Sequence, residues 1–185
     1  MSTDQKTRTA GAPATSPNAL RTVCRAAFIW VIVFIAFHVY WYFGGTFGFG
    51  DASATVPQTR TVGDWVFAVV ISGMFLVGAL VPFALHRPWG RAVPRWILHC
   101  CTWTGAALLL VRGVAGVVDT VVRDTGLMKN GLMGMTEEQV SGDAHPSAYT
   151  QWSGTTIDLY FALGGVLFAL AALWYRRSLA HHVAA

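Results

Sequence analysis

The chain has 185 residues, 54% of them apolar and only 12% charged, with a formal net charge of +4. That composition excludes an ordinary soluble domain of this length and reads as an integral membrane protein. The basic residues flank apolar stretches and form no stripe with interleaved aromatics, so no nucleic-acid partner is expected.

The first 24 residues are rich in Ser, Thr, Ala and Pro, show no hydrophobic period, and are expected to be a disordered cytoplasmic tail. The first apolar stretch, Ala26 to Phe43, is longer than a secretory h-region and ends in bulky HVYWYF. It is expected to be retained as a signal anchor. Stretches at 65–85, 96–118 and 155–175 follow, each long enough to cross about 30 Å of hydrocarbon at about 1.5 Å per residue. The expected fold is therefore all-α, an integral membrane antiparallel four-helix bundle over 25–177, with a short tail at 178–185. Lys6, Arg8, Arg21, Arg25, Arg87, Arg91, Arg95, Arg176 and Arg177 are nine of the thirteen Lys and Arg residues. All lie in the tails or in the link between the second and third stretches, which predicts a multi-pass cell-membrane protein with both termini cytoplasmic.

The expected outer loops are 44–64 and 119–154. The first opens with GGTFGFGD, a glycine-rich run that ends a helix and permits close backbone approach. No strand precedes it and no Lys-Ser/Thr follows, so it is not a phosphate loop. In the second, Thr136 and Gln139 fit a capping box and predict a short helix. Leu127, Met128, Leu132, Met133, Met135 and Trp152 suit a loop that folds back over the membrane surface.

Cys24, Cys100 and Cys101 form no CxxC pair and are expected to be thiols. No HExxH spacing occurs. His38 and His99 sit near opposite ends of their stretches, on the order of 15 Å or more apart along the membrane normal, which disfavours a bis-histidine haem. No metal and no cofactor is expected.

His38, Arg112 and Asp158 lie inside three different apolar stretches. Each is costly in hydrocarbon, by at least about 2.5 kcal/mol for Arg and Asp, so such residues usually face a bundle interior or a cavity. The topology sets all three about 5 to 9 Å inside the outer boundary. Two readings stand open. Arg112 and Asp158 form a structural ion pair or reach the headgroups, or the three residues form a site. Tyr40, Trp41, Trp65 and Tyr160 crowd the same layer, partly as an interfacial belt. Trp41 and Gly45 share a helix face with His38, and Asp119 lies on the rim above Arg112. An aromatic-walled pocket with one acid suits carbocation chemistry, because ring faces stabilise positive charge and a desolvated acid keeps its proton. In that scheme Asp158 is the acid, with Asp51 and Asp119 as rival carboxylates. His38 orients the acid or takes a proton back, and Arg112 holds the polar head of a lipid.

The run HVYWYFGGTFG at 38–48 resembles a family of small actinobacterial membrane proteins classed as a domain of unknown function, with a His-x-Tyr-Trp-x-x-Gly-Gly-Thr-x-Gly pattern. The likeness extends in layout over about 25–175. It implies four transmembrane helices, assigns no activity, and places Tyr40, Trp41, Gly44 and Gly45 in the motif beside His38. Gln151-Trp152 and Asp158-Leu159-Tyr160 resemble that family's Trp-Asp pair followed by Leu-Tyr, with Ser153 where the Asp would stand. The chemistry is similar by analogy to that of integral membrane terpene cyclases.

The leading expectation is a small intramembrane enzyme, cyclase-like or isomerase-like. It acts by acid-base chemistry on an isoprenoid or other lipid near the outer leaflet. Asp158, His38 and Asp51 are the candidate catalytic residues; Arg112, Tyr40, Trp41, Gly44, Gly45, Trp65, Asp119 and Tyr160 are the candidate substrate-binding ones. The alternative is a non-catalytic membrane subunit or lipid-binding accessory protein, in a homo-oligomer or with a membrane partner. A transporter would need an oligomer, since four helices make a thin pathway.

Overall fold

A computed structural model describes residues 17–48, 50–51 and 61–183. The expected tail up to residue 16, and residues 52–60 of the first outer loop, lie outside the described residues. Among those described, the chain is all-helical: α1 (Pro17–Tyr42), α2 (Val62–Ala84), α3 (Arg95–Asp124), α4 (Glu137–Ser141) and α5 (Ala148–Val183). A 3-10 turn, Pro88–Ala92, joins α2 to α3.

The helices overrun the apolar stretches. α1 begins at Pro17, inside the expected tail; α3 continues to Asp124; α5 starts at Ala148 and continues through 183, inside the expected second tail. Hydropathy marks where hydrocarbon can lie, whereas the backbone ladder continues until a cap or breaker stops it. α3 ends that way, at Thr125 and Gly126. Gly126 takes φ +70°, and the Gly126 and Met128 amides return to the Arg123 and Val122 carbonyls. The predicted short helix is present as α4. Thr136 and Gln139 cap it reciprocally, at 3.3 and 2.9 Å.

Asn18–Tyr42, Arg95–Asp124 and Ala148–Ala180 are long and apolar enough to cross a membrane, and Val69–Ala84 in α2 is a shorter apolar segment. Their outward side chains are apolar too: Ile29 is 60% exposed, Val69 70% and Val111 68%. Such a surface matches hydrocarbon, not water.

α5 packs against both α3 and α1; α1 packs on α2, and α2 touches α3 more sparsely. Glycines set the α3–α5 seam. A Cβ on Gly105 would meet the Phe168 ring at 3.2 Å, and one on Gly165 would meet Leu110 at 2.6 Å. At Gly113 a Cβ would run into the Ala162 backbone and the Asp158 carbonyl, and at Gly116 into the Asp158 carboxyl group. Small residues at helical spacing let backbones approach where apolar burial gives no drive between helices.

Trp30 and Tyr160 fasten α1 to α5. The Trp30 indole donates to the Tyr160 carbonyl at 3.0 Å, and the Tyr160 hydroxyl donates to the Trp30 carbonyl at 2.5 Å. Their rings stack at 4.8 Å, and Trp30 lies flat over Gly164. Each polar tip that would be orphaned in hydrocarbon is thereby paired.

Candidate functional site

One layer of side chains crosses all four long helices. From α2, Phe75 meets Phe34 of α1 edge-on at 4.8 Å, and Phe34 meets Phe161 of α5 edge-on at 5.3 Å. Over Phe161 lies the guanidinium of Arg112, from α3, 5.2 Å from the ring centroid. Arg112 donates through Nη1 to Oδ1 of Asp158. The Asp158 residue is 7% exposed, its carboxylate against Gly116, while the Arg112 side chain remains 54% exposed.

His38 joins the layer at its α1 side. Its ring packs on Phe34 at 4.1 Å and on Phe75 at 4.8 Å. Nδ1 lies 2.9 Å from the Phe34 carbonyl four residues earlier. In the neutral ring that contact fixes the proton on Nδ1 and leaves Nε2 as an acceptor. The expected convergence of three polar residues is thus a layer with aromatic rungs between them. Arg112 and Asp158 touch; His38 stands across Phe34 and Phe161 from them and makes no hydrogen bond to Asp158.

Of the other candidate residues, Trp41 meets the His38 ring edge-on at 5.2 Å and Tyr160 stacks on Phe34 at 6.1 Å, and the rest fall elsewhere. Tyr40 and Trp41, at the end of α1, build with Gly44 and Gly45 the start of the loop that follows it. The Tyr40 ring lies under Gly45, its hydroxyl accepts the Phe47 amide at 3.3 Å, and the Trp41 indole donates to the Phe47 carbonyl at 2.8 Å. Gly44 turns the chain at φ +89°. Trp65 is half exposed on α2. Tyr160 is spent on its bond to Trp30.

Asp51 docks that loop on the start of α5. Its carboxylate accepts the Ser147 hydroxyl and the Thr150 hydroxyl, the latter at 2.8 Å, and its amide donates to Thr150 Oγ1 at 2.9 Å. The Tyr149 hydroxyl accepts the Gly48 amide at 2.8 Å. An anion at a helix N-terminus also meets the positive end of the dipole. The hydroxyl donors, Ser147 first, hold the Asp51 carboxyl below its usual range. A carboxylate whose folded value is depressed stabilises above the unfolded value, about 3.9, and loses that contribution as pH falls through the folded value. The clasp should therefore be closed throughout pH 5 to 8 and open only below the ordinary carboxylate range. Hydrogen exchange at the Gly48 and Asp51 amides, in the chain and in Asp51→Asn, reads this; a transition at pH 5 or above contradicts it.

Asp119 anchors the second loop. It pairs with Arg123 at 2.6 Å and accepts the Leu132 amide at 2.5 Å. Arg123 also reaches Glu137 and the Asn130 carbonyl, each at 3.2 Å. So the Leu132 backbone folds back to the height of Asp119. Arg123 was not among the sequence candidates, although its position four residues after Asp119 was the signal. Phe34, Phe75 and Phe161 were also missed; Phe34 precedes His38 by one helical turn, and Phe161 follows Asp158 by three residues. An open cleft of about 350 Å³ lies among Arg123, Asp124, Glu137, His145 and Gln151, at the end of α3 and the start of α5. No group of three or more His, Cys, Asp or Glu side chains among the described residues could hold a metal ion.

The helices and the charged layer define a class: an all-helical protein with three helices able to span a membrane and an ion pair set among apolar segments. The chain belongs to the family described as protein of unknown function (DUF3995), which matches residues 31–130, more than half its length. That segment includes the whole 38–48 motif. No curated protein and no solved structure matched the chain.

Proposed function

We propose that the chain is a four-span antiparallel membrane protein, termini cytoplasmic, that binds an isoprenoid or other lipid by its polar head at Arg112. One observation carries this reading. A guanidinium has five N–H donors, and Arg112 spends one on Asp158 while standing half exposed beside an aromatic wall within an apolar helix. Donors left unpaired at that depth cost several kcal/mol, so an acceptor from a lipid head or water is required. The lipid-binding, non-catalytic alternative is favoured over Asp158 acid catalysis because the Asp158 carboxylate is tucked between Arg112 and Gly116.

Mass spectrometry of lipid retained by the purified chain tests the reading. Arg112→Gln should lower the retained lipid per chain about fivefold or more, in line with losing a charge-assisted bond. Equal retention in the two proteins sinks it. A second reading, acid-base catalysis on the bound lipid, draws on the open Nε2 of His38. His38→Gln would then change the mass of the retained species, whereas a binder keeps the same species.

A further inference from the structure

We infer that the Arg112 site takes an uncharged amphiphile whose head offers carbonyl oxygens, of the prenylated-quinone kind, in preference to a phosphorylated lipid. This deepens the lipid-binding reading and rests on it. The argument is one of charge. Arg112 is the cation of the layer, and Asp158 already neutralises it.

The charges above the layer add no positive excess. Arg112, Gly116, Asp119 and Arg123 recur at spacings that keep them on one face of α3 at about 100° per residue. Along that face the next pair is Asp119 with Arg123, neutral again, and Glu137 joins Arg123 from α4. An anion arriving at Arg112 would therefore bring an uncompensated negative charge into an apolar segment, disfavoured on the order of a hundredfold. A carbonyl brings lone pairs and no charge. It satisfies the remaining guanidinium donors without disturbing the Arg112–Asp158 balance.

The wall suits a flat head. Phe161 lies beside the guanidinium, Phe34 meets Phe161 edge-on, and Phe34 continues the wall through Trp30 at 5.6 Å, with an interplanar angle of 8°. Offset or edge contacts of a ring head with these faces add to the hydrogen bonds. On α3 itself, Leu108, one turn before Arg112 on the same face and 57% exposed, offers apolar surface for a prenyl tail.

The experiment uses the full chain in lipid nanodiscs, with a radiolabelled benzoquinone carrying a short prenyl tail. The competitor is the same prenyl chain ending in a monophosphate. Saturable quinone binding above that of empty discs is expected, weakened about tenfold or more by Arg112→Gln, with no displacement by the phosphate. Asp158→Asn is the sharper variant, because it removes the balancing charge and keeps the shape. In it the phosphate should now displace the quinone, with affinity raised about tenfold or more. Phosphate that displaces the quinone from the unsubstituted chain overturns the inference, as does an Asp158→Asn chain that still excludes phosphate. Phosphate binding that depends on Arg112 would sink the inference and leave the lipid-binding reading standing. Quinone binding indifferent to Arg112, or no binding of either probe, sinks both. If Arg112→Gln does not accumulate as folded protein, the Asp158→Asn arm decides.

Discussion

Gly113→Val should prevent the chain from accumulating as a folded protein. A Cβ there would stand 2.7 Å from the Ala162 Cα and from the Asp158 carbonyl oxygen, and backbone has no rotamer in which to retreat. α3 and α5 would have to separate along their whole seam, which also pulls Arg112 away from Asp158. Overpacking typically costs about 1 to 3 kcal/mol, and this contact belongs at or above the top of that range because both neighbours are main chain. Gly116→Ala, one turn on, meets the Asp158 side chain first, and not main chain, so it should be milder. Thermal unfolding in detergent, followed by size-exclusion, ranks the two. A Gly113→Val chain as stable as the original would mean that the seam is wider than described.

Trp30→Ala should destabilise by about 3 to 5 kcal/mol, as deletion of a large buried aromatic does. The residue is 7% exposed, stacks on Tyr160, lies over Gly164 and meets Phe168 edge-on. Its removal also strips the donor from the Tyr160 carbonyl, although that carbonyl keeps its place in the helix ladder. Trp30→Phe separates the two contributions: it keeps most of the packing and loses only the indole bond, so its cost should be about 1 kcal/mol beyond the lost volume. Denaturant titration of the three proteins measures both. Equal loss in the Phe and Ala variants would assign the effect to the hydrogen bond and not to packing.

Three of the four apolar stretches were legible as spans because a bilayer imposes a length and a composition on anything that crosses it, whereas the stretch at 65–85 yields only a shorter apolar segment, Val69–Ala84. Asp158 and Arg112 stood out for the same reason, as charges inside such stretches, and they do meet. The capping box at Thr136 was legible as well, since its geometry is local. Partners set by helix rotation were not legible. His38 and Asp158 share a depth, yet depth says nothing about azimuth, and Phe34 and Phe161 occupy the space between them. Trp41 and Gly45 looked like a binding face because they follow His38 at spacings three and seven, and Tyr40 and Gly44 joined them through the resemblance. The Trp41 ring does meet His38 edge-on at 5.2 Å, but the helix ends at Tyr42, so spacing stops predicting direction there, and Gly44 and Gly45 fold a loop. Asp51 looked like a free acid; its partners Ser147, Tyr149 and Thr150 lie about a hundred residues away, and no local pattern announces such a contact.

The first outer loop and the Trp30–Tyr160 pair tie α1 to α5 at two heights. Tyr40 and Trp41 hold residues 44–48 to the end of α1, and Asp51 holds the same loop to the start of α5. Farther down, the indole and phenol bonds lock the register of the two helices. Mechanically, α1 and α5 make one stiff plate, with α3 fitted to it by glycine contacts. α2 leans on that plate through ring and small apolar contacts, among them Phe75 on Phe34, Phe83 on Phe28 and Gly78 on Val31, which carry far less direction than the hydrogen bonds between α1 and α5.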